Sequence, residues 1–125
     1  MILLSKRFEF HAAHQLAWLP TWHACSRMHG HTYGVRLTLT GELQGPWLLD
    51  FGVLKGTWEE TCGATLDHHV LNEIEGLEEP TAERLCAWIA ARIAPALPAH
   101  VQLAEVEVSE SPTSSVTLRM MKAGA

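Results

Sequence analysis

Within seven residues, Cys25-Ser26-Arg27-Met28-His29-Gly30-His31, the chain gathers a thiol and two imidazoles. The segment that continues from His29 reads as a β-strand, where side chains alternate faces, so His29 and His31 point the same way. Their parity runs on through Tyr33, Val35, Leu37 and Leu39, while Arg36, Thr38 and Thr40 take the other face. The imidazoles therefore project from the apolar side, where one without a partner is costly. Two imidazoles at this spacing can share a metal ion. A third, His14, falls in register with Phe8 and Phe10 on the inward face of the preceding strand or just past its end. Neutral imidazole suits zinc, and catalytic zinc has three protein ligands and an open fourth position. His14, His29 and His31 are thus the candidate ligands. Cys25, in the loop, has two open roles: a fourth ligand that closes a structural site, or a nearby base whose pKa the metal and the imidazoles lower toward neutrality.

Two other residues or pairs have types suited to chemistry. Asp67-His68 sets a carboxylate beside an imidazole, and a Cys/His/Asp relay can activate a thiol; the same pair would serve equally as a polar loop cluster. Glu110 follows Val106 and Val108 on the apolar parity of a strand, where a carboxylate is seldom free. It can take two parallel hydrogen bonds from an amidine-like edge, such as that of a 2-aminopyrimidinone, or simply lie solvated at the strand end. Cys62 and Cys86 fall on helix stripes as small core residues. His11, His23 and His100 gain no role from spacing.

The elements that must hold these groups are read from periodicity. A strand runs from Ile2 to His14, with even positions mostly apolar, and a loop from Gln15 to Met28 carries Pro20 and Cys25. The second strand spans about His31 to Leu43. After the Gly45-Pro46 turn, Asp50 is an N-cap for a helix from Phe51 to about Thr61, with Leu54, Trp58 and Cys62 as its buried stripe and Gly63 as its end. Beyond an acidic loop, Glu73 to Glu79, Pro80-Thr81 opens a second helix that buries Leu85, Ile89 and Ile93 and stops at Pro95 and Pro98. Strands from Val101 to Glu110 and from Ser114 to Met121 complete the order. The reading is one α+β domain over residues 1–125, a four-stranded antiparallel sheet in ββααββ order with both helices on one face. Such a sheet has two open edges, which favours assembly with further copies.

Composition limits what the chain can be. With 125 residues, 47% hydrophobic and 18% charged, it is globular and large enough for one core. The first strand begins almost at Met1, which leaves no room for a signal peptide, and no apolar run approaches the ~18–20 residues of a membrane span. A soluble, cytoplasmic protein is expected. Three cysteines at wide spacing, without a CxxC pair, fit neither a disulfide framework nor a zinc ribbon. A formal net charge of −5 argues against nucleic acid as a partner, so any anionic ligand must be held by local cations, with Arg27 and Lys55 as candidates.

Taken together, Phe10-His11-Ala12-Ala13-His14, Cys25 to His31, Leu49-Asp50-Phe51-Gly52-Val53-Leu54-Lys55, Leu66 to Asn72, Pro80-Thr81-Ala82-Glu83 and Glu110 resemble the 6-pyruvoyltetrahydropterin synthase family. Three residues separate Cys25 from His29, as in its bacterial 6-carboxytetrahydropterin synthase branch of the queuosine pathway. Arg84 departs from the asparagine usual in the family, and Ser111 to Ser115 match poorly. The resemblance implies the tunnelling fold, homo-oligomers, commonly hexamers, with sites between subunits, and a pterin triphosphate substrate. It further implies zinc on His14, His29 and His31, Cys25 as acid/base tuned by Asp67 and His68, and Glu110 with Thr81 and Glu83 as pterin anchors. The reaction implied is 7,8-dihydroneopterin triphosphate to 6-carboxy-5,6,7,8-tetrahydropterin, acetaldehyde and triphosphate. The alternatives are a pyruvoyltetrahydropterin synthase that only eliminates triphosphate, and a non-catalytic zinc-binding oligomer.

Overall fold

The computed structural model describes residues 1–120. Its frame is a sheet of β1 (Leu4–His14), β2 (His29–Gly41), β3 (His69–Val70), β4 (Val101–Ser111) and β5 (Ser114–Arg119), in the order β3-β1-β2-β4-β5. The expected count of four strands is corrected to five. The β1–β2, β2–β4 and β4–β5 pairs are antiparallel, and β3 lies parallel to β1 through Ala12–His69 and Ala13–Val70. A two-residue strand is too short to display alternation, which is why the sequence pattern does not reveal it. Strand boundaries also shift: β1 starts at Leu4 rather than Ile2, β2 starts at His29 and ends at Gly41, and β4 runs one residue beyond Glu110. The last strand ends at Arg119, and Met121 lies outside the described residues.

Alternation produces one buried face. Phe8, Phe10, Ala12 and His14 of β1 are buried, as are Tyr33, Val35, Leu37 and Leu39 of β2 and Val106 and Val108 of β4. The helices α1 (Phe51–Trp58) and α3 (Ala82–Ile93) cover that face, and their Leu54, Trp58, Leu85, Ile89 and Ile93 share its core cluster. Trp58 stacks on Phe8 with ring centroids 5.0 Å apart, and Phe10 stacks on Tyr33 at 4.9 Å. The other face carries exposed ion pairs, Arg36–Glu107 and Arg119–Glu105, each 2.8 Å. Pairs so exposed add little stability.

The first helix differs from expectation. Asp50 caps it as the sequence indicates, accepting from the backbone N–H groups of Gly52 and Val53. Gly63, however, does not end it: α1 passes into a π-helical turn, Glu59–Gly63, and on into α2 (Ala64–Leu66). Gly63 has ordinary helical backbone angles, and its missing Cβ makes room instead, since one there would stand 2.9 Å from both Trp58 Nε1 and Glu59 Oε2. The carbonyl of Thr61, inside the π turn, accepts a 2.6 Å bond from Arg92 Nε of α3. This bond ties the π turn to α3.

Candidate active site

Register sets the three histidines together. His14 and His29 are direct cross-strand partners, and His31 pairs with Ala12, two residues back on the same face. Their ligand atoms all lie within 4.8 Å of one another. Two of the rings are also oriented from behind. His14 Nδ1 donates to the Pro80 carbonyl at 2.9 Å, and the Tyr33 hydroxyl stands 3.1 Å from the same nitrogen. His29 Nδ1 donates to the Arg27 carbonyl at 2.7 Å. A carbonyl only accepts, so both Nδ1 atoms carry the proton and both Nε2 atoms are left with lone pairs. Those two Nε2 atoms face each other at 3.0 Å. Lone pairs so opposed need a cation between them. His31 Nε2 is buried with no hydrogen-bond partner among the described residues, and its ring packs edge-on against those of His14 and His29 at 5.0 and 4.8 Å.

This donor set fits a divalent metal: three neutral imidazole nitrogens, two of them held by backbone carbonyls in the manner of ligand-orienting outer-shell groups. Burial pushes the His14 imidazole below its ordinary pKa, and the neighbouring His29 and His31 add to that, against the Pro80 bond and Glu110, which pull it up. A lowered value keeps the ring neutral and ligand-ready. Burial likewise pushes the Tyr33 phenol well above its usual range, so it stays protonated. Cys25 is outside the metal-binding group, which holds three histidines alone among the described residues.

Glu110 lies at the end of β4, with Oε2 4.0 Å from His31 Nε2. It lines a cavity of about 270 Å³ whose apolar walls are Leu16, Val108 and Val116 and whose other polar lining includes Thr81 and Glu83. Thr81 caps α3 by accepting from the Arg84 backbone N–H, and Glu83 sits in the helix's first turn. Pro80, which orients His14, immediately precedes Thr81, so one segment contributes to both the histidine cluster and the cavity. Arg27 adds its carbonyl to the His29 bond, and neither its side chain nor Lys55 lines this cavity.

Asp67 and His68 pair with each other next to the sheet's edge strand. His68 Nδ1 bonds Asp67 Oδ2 at 2.9 Å, and Asp67 Oδ1 accepts from the His11 backbone N–H at 2.9 Å. The His11 bond, and after it the His68 bond, hold the Asp67 carboxyl below the usual range. His68 is a non-glycine residue at φ 59°, a strained conformation of a kind that collects at functional sites. With 76% of its side chain exposed, it sits beside the short edge strand β3, and no hydrogen bond or ion pair joins the pair to Cys25 among the described residues.

Cys25 is half-buried in a turn, Ala24–Ser26, whose surroundings are well tied. Its N–H donates to His23 Nδ1 at 3.0 Å, its carbonyl accepts from Leu16 N–H at 2.9 Å, and Gln15 Nε2 donates to the next carbonyl, Ser26 O, at 2.8 Å. Gln15 is itself held by the Asn72 amide through its own N–H and carbonyl. Sequence reasoning missed these supports. Tyr33 could have been found by its parity with His31, whereas carbonyls such as Pro80 and Arg27 have no signature in the sequence.

Residues 3–120 match the family model described as 6-pyruvoyl tetrahydropterin synthase. The chain is 40% identical to the 6-carboxy-5,6,7,8-tetrahydropterin synthase of Synechocystis sp. over 124 residues, covering 92% of this chain and 91% of that one. It is 32% identical to the dihydroneopterin monophosphate aldolase of Pyrococcus furiosus, covering 90% and 92%. In fold it resembles the 6-pyruvoyl tetrahydropterin synthase of Caenorhabditis elegans, with a TM-score of 0.83 at 23% identity over 96% of both chains.

Proposed function

The chain belongs to the 6-pyruvoyl tetrahydropterin synthase family, and on that footing we propose that it is a zinc-dependent 6-carboxytetrahydropterin synthase of the route to queuosine and related 7-deazapurines. The substrate is 7,8-dihydroneopterin triphosphate, and the products are 6-carboxy-5,6,7,8-tetrahydropterin, acetaldehyde and triphosphate. No external reductant is required, because the oxidation level of the three-carbon arm supplies the reduction of the ring. The observation that carries this reading is the adjacency of two half-sites: a metal-fitting histidine cluster and, 4.0 Å from it at Glu110, a cavity with an anchoring carboxylate.

In this reading His14, His29 and His31 hold zinc through Nε2. When bound, the metal supplies Lewis acidity toward the hydroxyls of the substrate arm. Glu110 takes the amino and ring N–H of the pterin in a paired hydrogen bond, with Thr81 and Glu83 completing the anchor, so that the arm is presented toward the histidines. Cys25, as thiolate, moves protons between the arm and the ring carbon while triphosphate leaves and the carbon–carbon bond breaks. Asp67 fixes the tautomer of His68, and this pair tunes a Cys25 thiolate contributed by a neighbouring subunit. Its position beside an edge strand supports that division, since an open sheet edge is where another copy adds. The working form is therefore a homo-oligomer, a hexamer on the family's pattern. Among the described residues no helix is long and apolar enough to cross a membrane, in keeping with a cytoplasmic enzyme.

Incubating the zinc-loaded protein with 7,8-dihydroneopterin triphosphate and identifying products by mass spectrometry tests the proposal. It expects 6-carboxytetrahydropterin and acetaldehyde, and a pyruvoyl product without acetaldehyde would refute it. A second reading, an aldolase acting on a dihydroneopterin phosphate, is favoured by the similarity to the Pyrococcus furiosus protein. That activity would leave a cleaved side chain on a ring that has not gained hydrogen.

A further inference from the structure

His23 has no part in the chemistry assigned so far, yet its ring makes a specific contact with the residue that does. Its Nδ1 accepts the Cys25 backbone N–H at 3.0 Å, in the capping position of the turn that carries the thiol. The residues favoured at such a position are Ser, Thr, Asp and Asn, which cap through an oxygen; histidine is an unusual choice. A local preference broken without evident structural gain is the mark of a functional site. The contact also fixes the ring, because an Nδ1 that accepts leaves the proton on Nε2.

The other groups around Cys25 show why this contact matters. Leu16 N–H holds the Cys25 carbonyl and Gln15 Nε2 holds the Ser26 carbonyl, so the C-terminal side of the cysteine is anchored to the residues directly after His14. The Ser26 hydroxyl and N–H both donate to the His23 carbonyl, closing the turn on His23 itself. On the N-terminal side, the Ala24–Cys25 peptide is held at its carbonyl by the Arg27 N–H at 3.2 Å and at its N–H by the His23 imidazole, the side-chain contact of the pair. Without it, the Cys25 N–H loses its acceptor, and the peptide that sets the thiol's direction is held through its carbonyl alone.

We infer that His23 is a positioning residue, whose imidazole, by accepting the Cys25 N–H, aims the Cys25 thiol toward the reacting arm of the substrate. This rests on the reading of Cys25 as the working thiol. The effect falls on the chemical step, because His23 is in neither the histidine cluster nor the cavity lined by Glu110.

The test uses the zinc-loaded oligomer with His23→Leu, which cannot accept, and His23→Asn, which caps through its side-chain oxygen. Two quantities are read: steady-state kcat and KM, and the rate at which iodoacetamide alkylates Cys25 at neutral pH. Cys62 and Cys86 are buried, so alkylation reports Cys25. His23→Leu is expected to lower kcat by roughly fivefold to tenfold with KM within about twofold, and to change the alkylation rate severalfold. His23→Asn is expected to restore both toward wild type. If His23→Leu retains wild-type kcat and alkylation, or if His23→Asn stays folded and zinc-loaded yet restores neither, the inference is overturned. If His23→Leu does not fold, His23→Asn decides: near wild-type values uphold the inference, and losses in both refute it. Should wild type itself turn over no pterin substrate while alkylation still obeys the capping pattern, the proposed function fails and the positioning of Cys25 by His23 stands.

Discussion

His31 Nε2 and Glu110 Oε2 stand 4.0 Å apart at the ends of neighbouring strands, and this short gap joins the histidine cluster to the cavity beside it. One substrate molecule can therefore touch both. Glu110→Gln keeps the shape but replaces one acceptor by a donor, breaking a paired bond to an N–H edge. A hydrogen bond to a charged group contributes about 1.5–3 kcal/mol, so substrate binding should weaken on the order of 10- to 100-fold while zinc content is unchanged. Equilibrium binding of a non-reacting pterin measures this, and unaltered affinity would remove Glu110 as the anchor.

Tyr33 stands behind the cluster, its hydroxyl 3.1 Å from His14 Nδ1. Groups that orient a ligand in this way influence metal affinity by about 10- to 100-fold. The Pro80 carbonyl shares the task, so Tyr33→Phe should lie near the lower bound, a roughly tenfold weaker zinc affinity in a competition titration with a chelator. Wild-type affinity would show that Pro80 alone orients the ring.

The metal-free protein should lose stability in weak acid. His14 is lowered below its ordinary value of 6.5, with burial the largest cause, so the folded state resists protonation more than the unfolded chain does. The unfolded state then binds more protons between the lowered value and 6.5, and stability rises with pH through that window. The contribution is complete above 6.5 and is lost as pH falls through the folded value. Urea midpoints of the metal-free protein across this range should therefore climb with pH, and a flat profile would contradict a buried, neutral His14. Bound zinc should steepen the climb, because its ligands must be deprotonated.

Gly63 offers a test with opposing signs. In an ordinary exposed helix Gly→Ala stabilises by up to about 1 kcal/mol. Here the added carbon meets the buried Trp58 ring and the Glu59 carboxylate at 2.9 Å. Gly63→Ala should instead destabilise by about 1–3 kcal/mol, seen as a lower urea midpoint. A gain in stability would mean that the π turn relaxes to an ordinary helix at no cost.

How far the sequence discloses this molecule depends on which interactions leave a pattern. Alternation in β1 and β2 puts His14, His29 and His31 on one inward face, because a two-residue period fixes a side chain's direction wherever one face is buried. Asp50 and Thr81 announce their helices through capping preference. The π turn leaves no comparable trace: Gly63 resembles a helix terminator, and only the nearness of Trp58 and Glu59 reveals its purpose. The two-residue β3 is equally silent, and with it the placement of Asp67 and His68 next to the sheet's edge. The turn around Cys25 is built from backbone groups and the His23 ring, and no periodicity reports either.

The proposed site divides its labour: three histidines hold the metal, and Cys25 does proton chemistry without binding it. Zinc content and turnover measured together on Cys25→Ala decide whether that division is real. One zinc per subunit is expected, as in wild type, with turnover lost. A Cys25→Ala protein that no longer retains zinc would contradict the division, and would make the thiol a fourth ligand of a structural site.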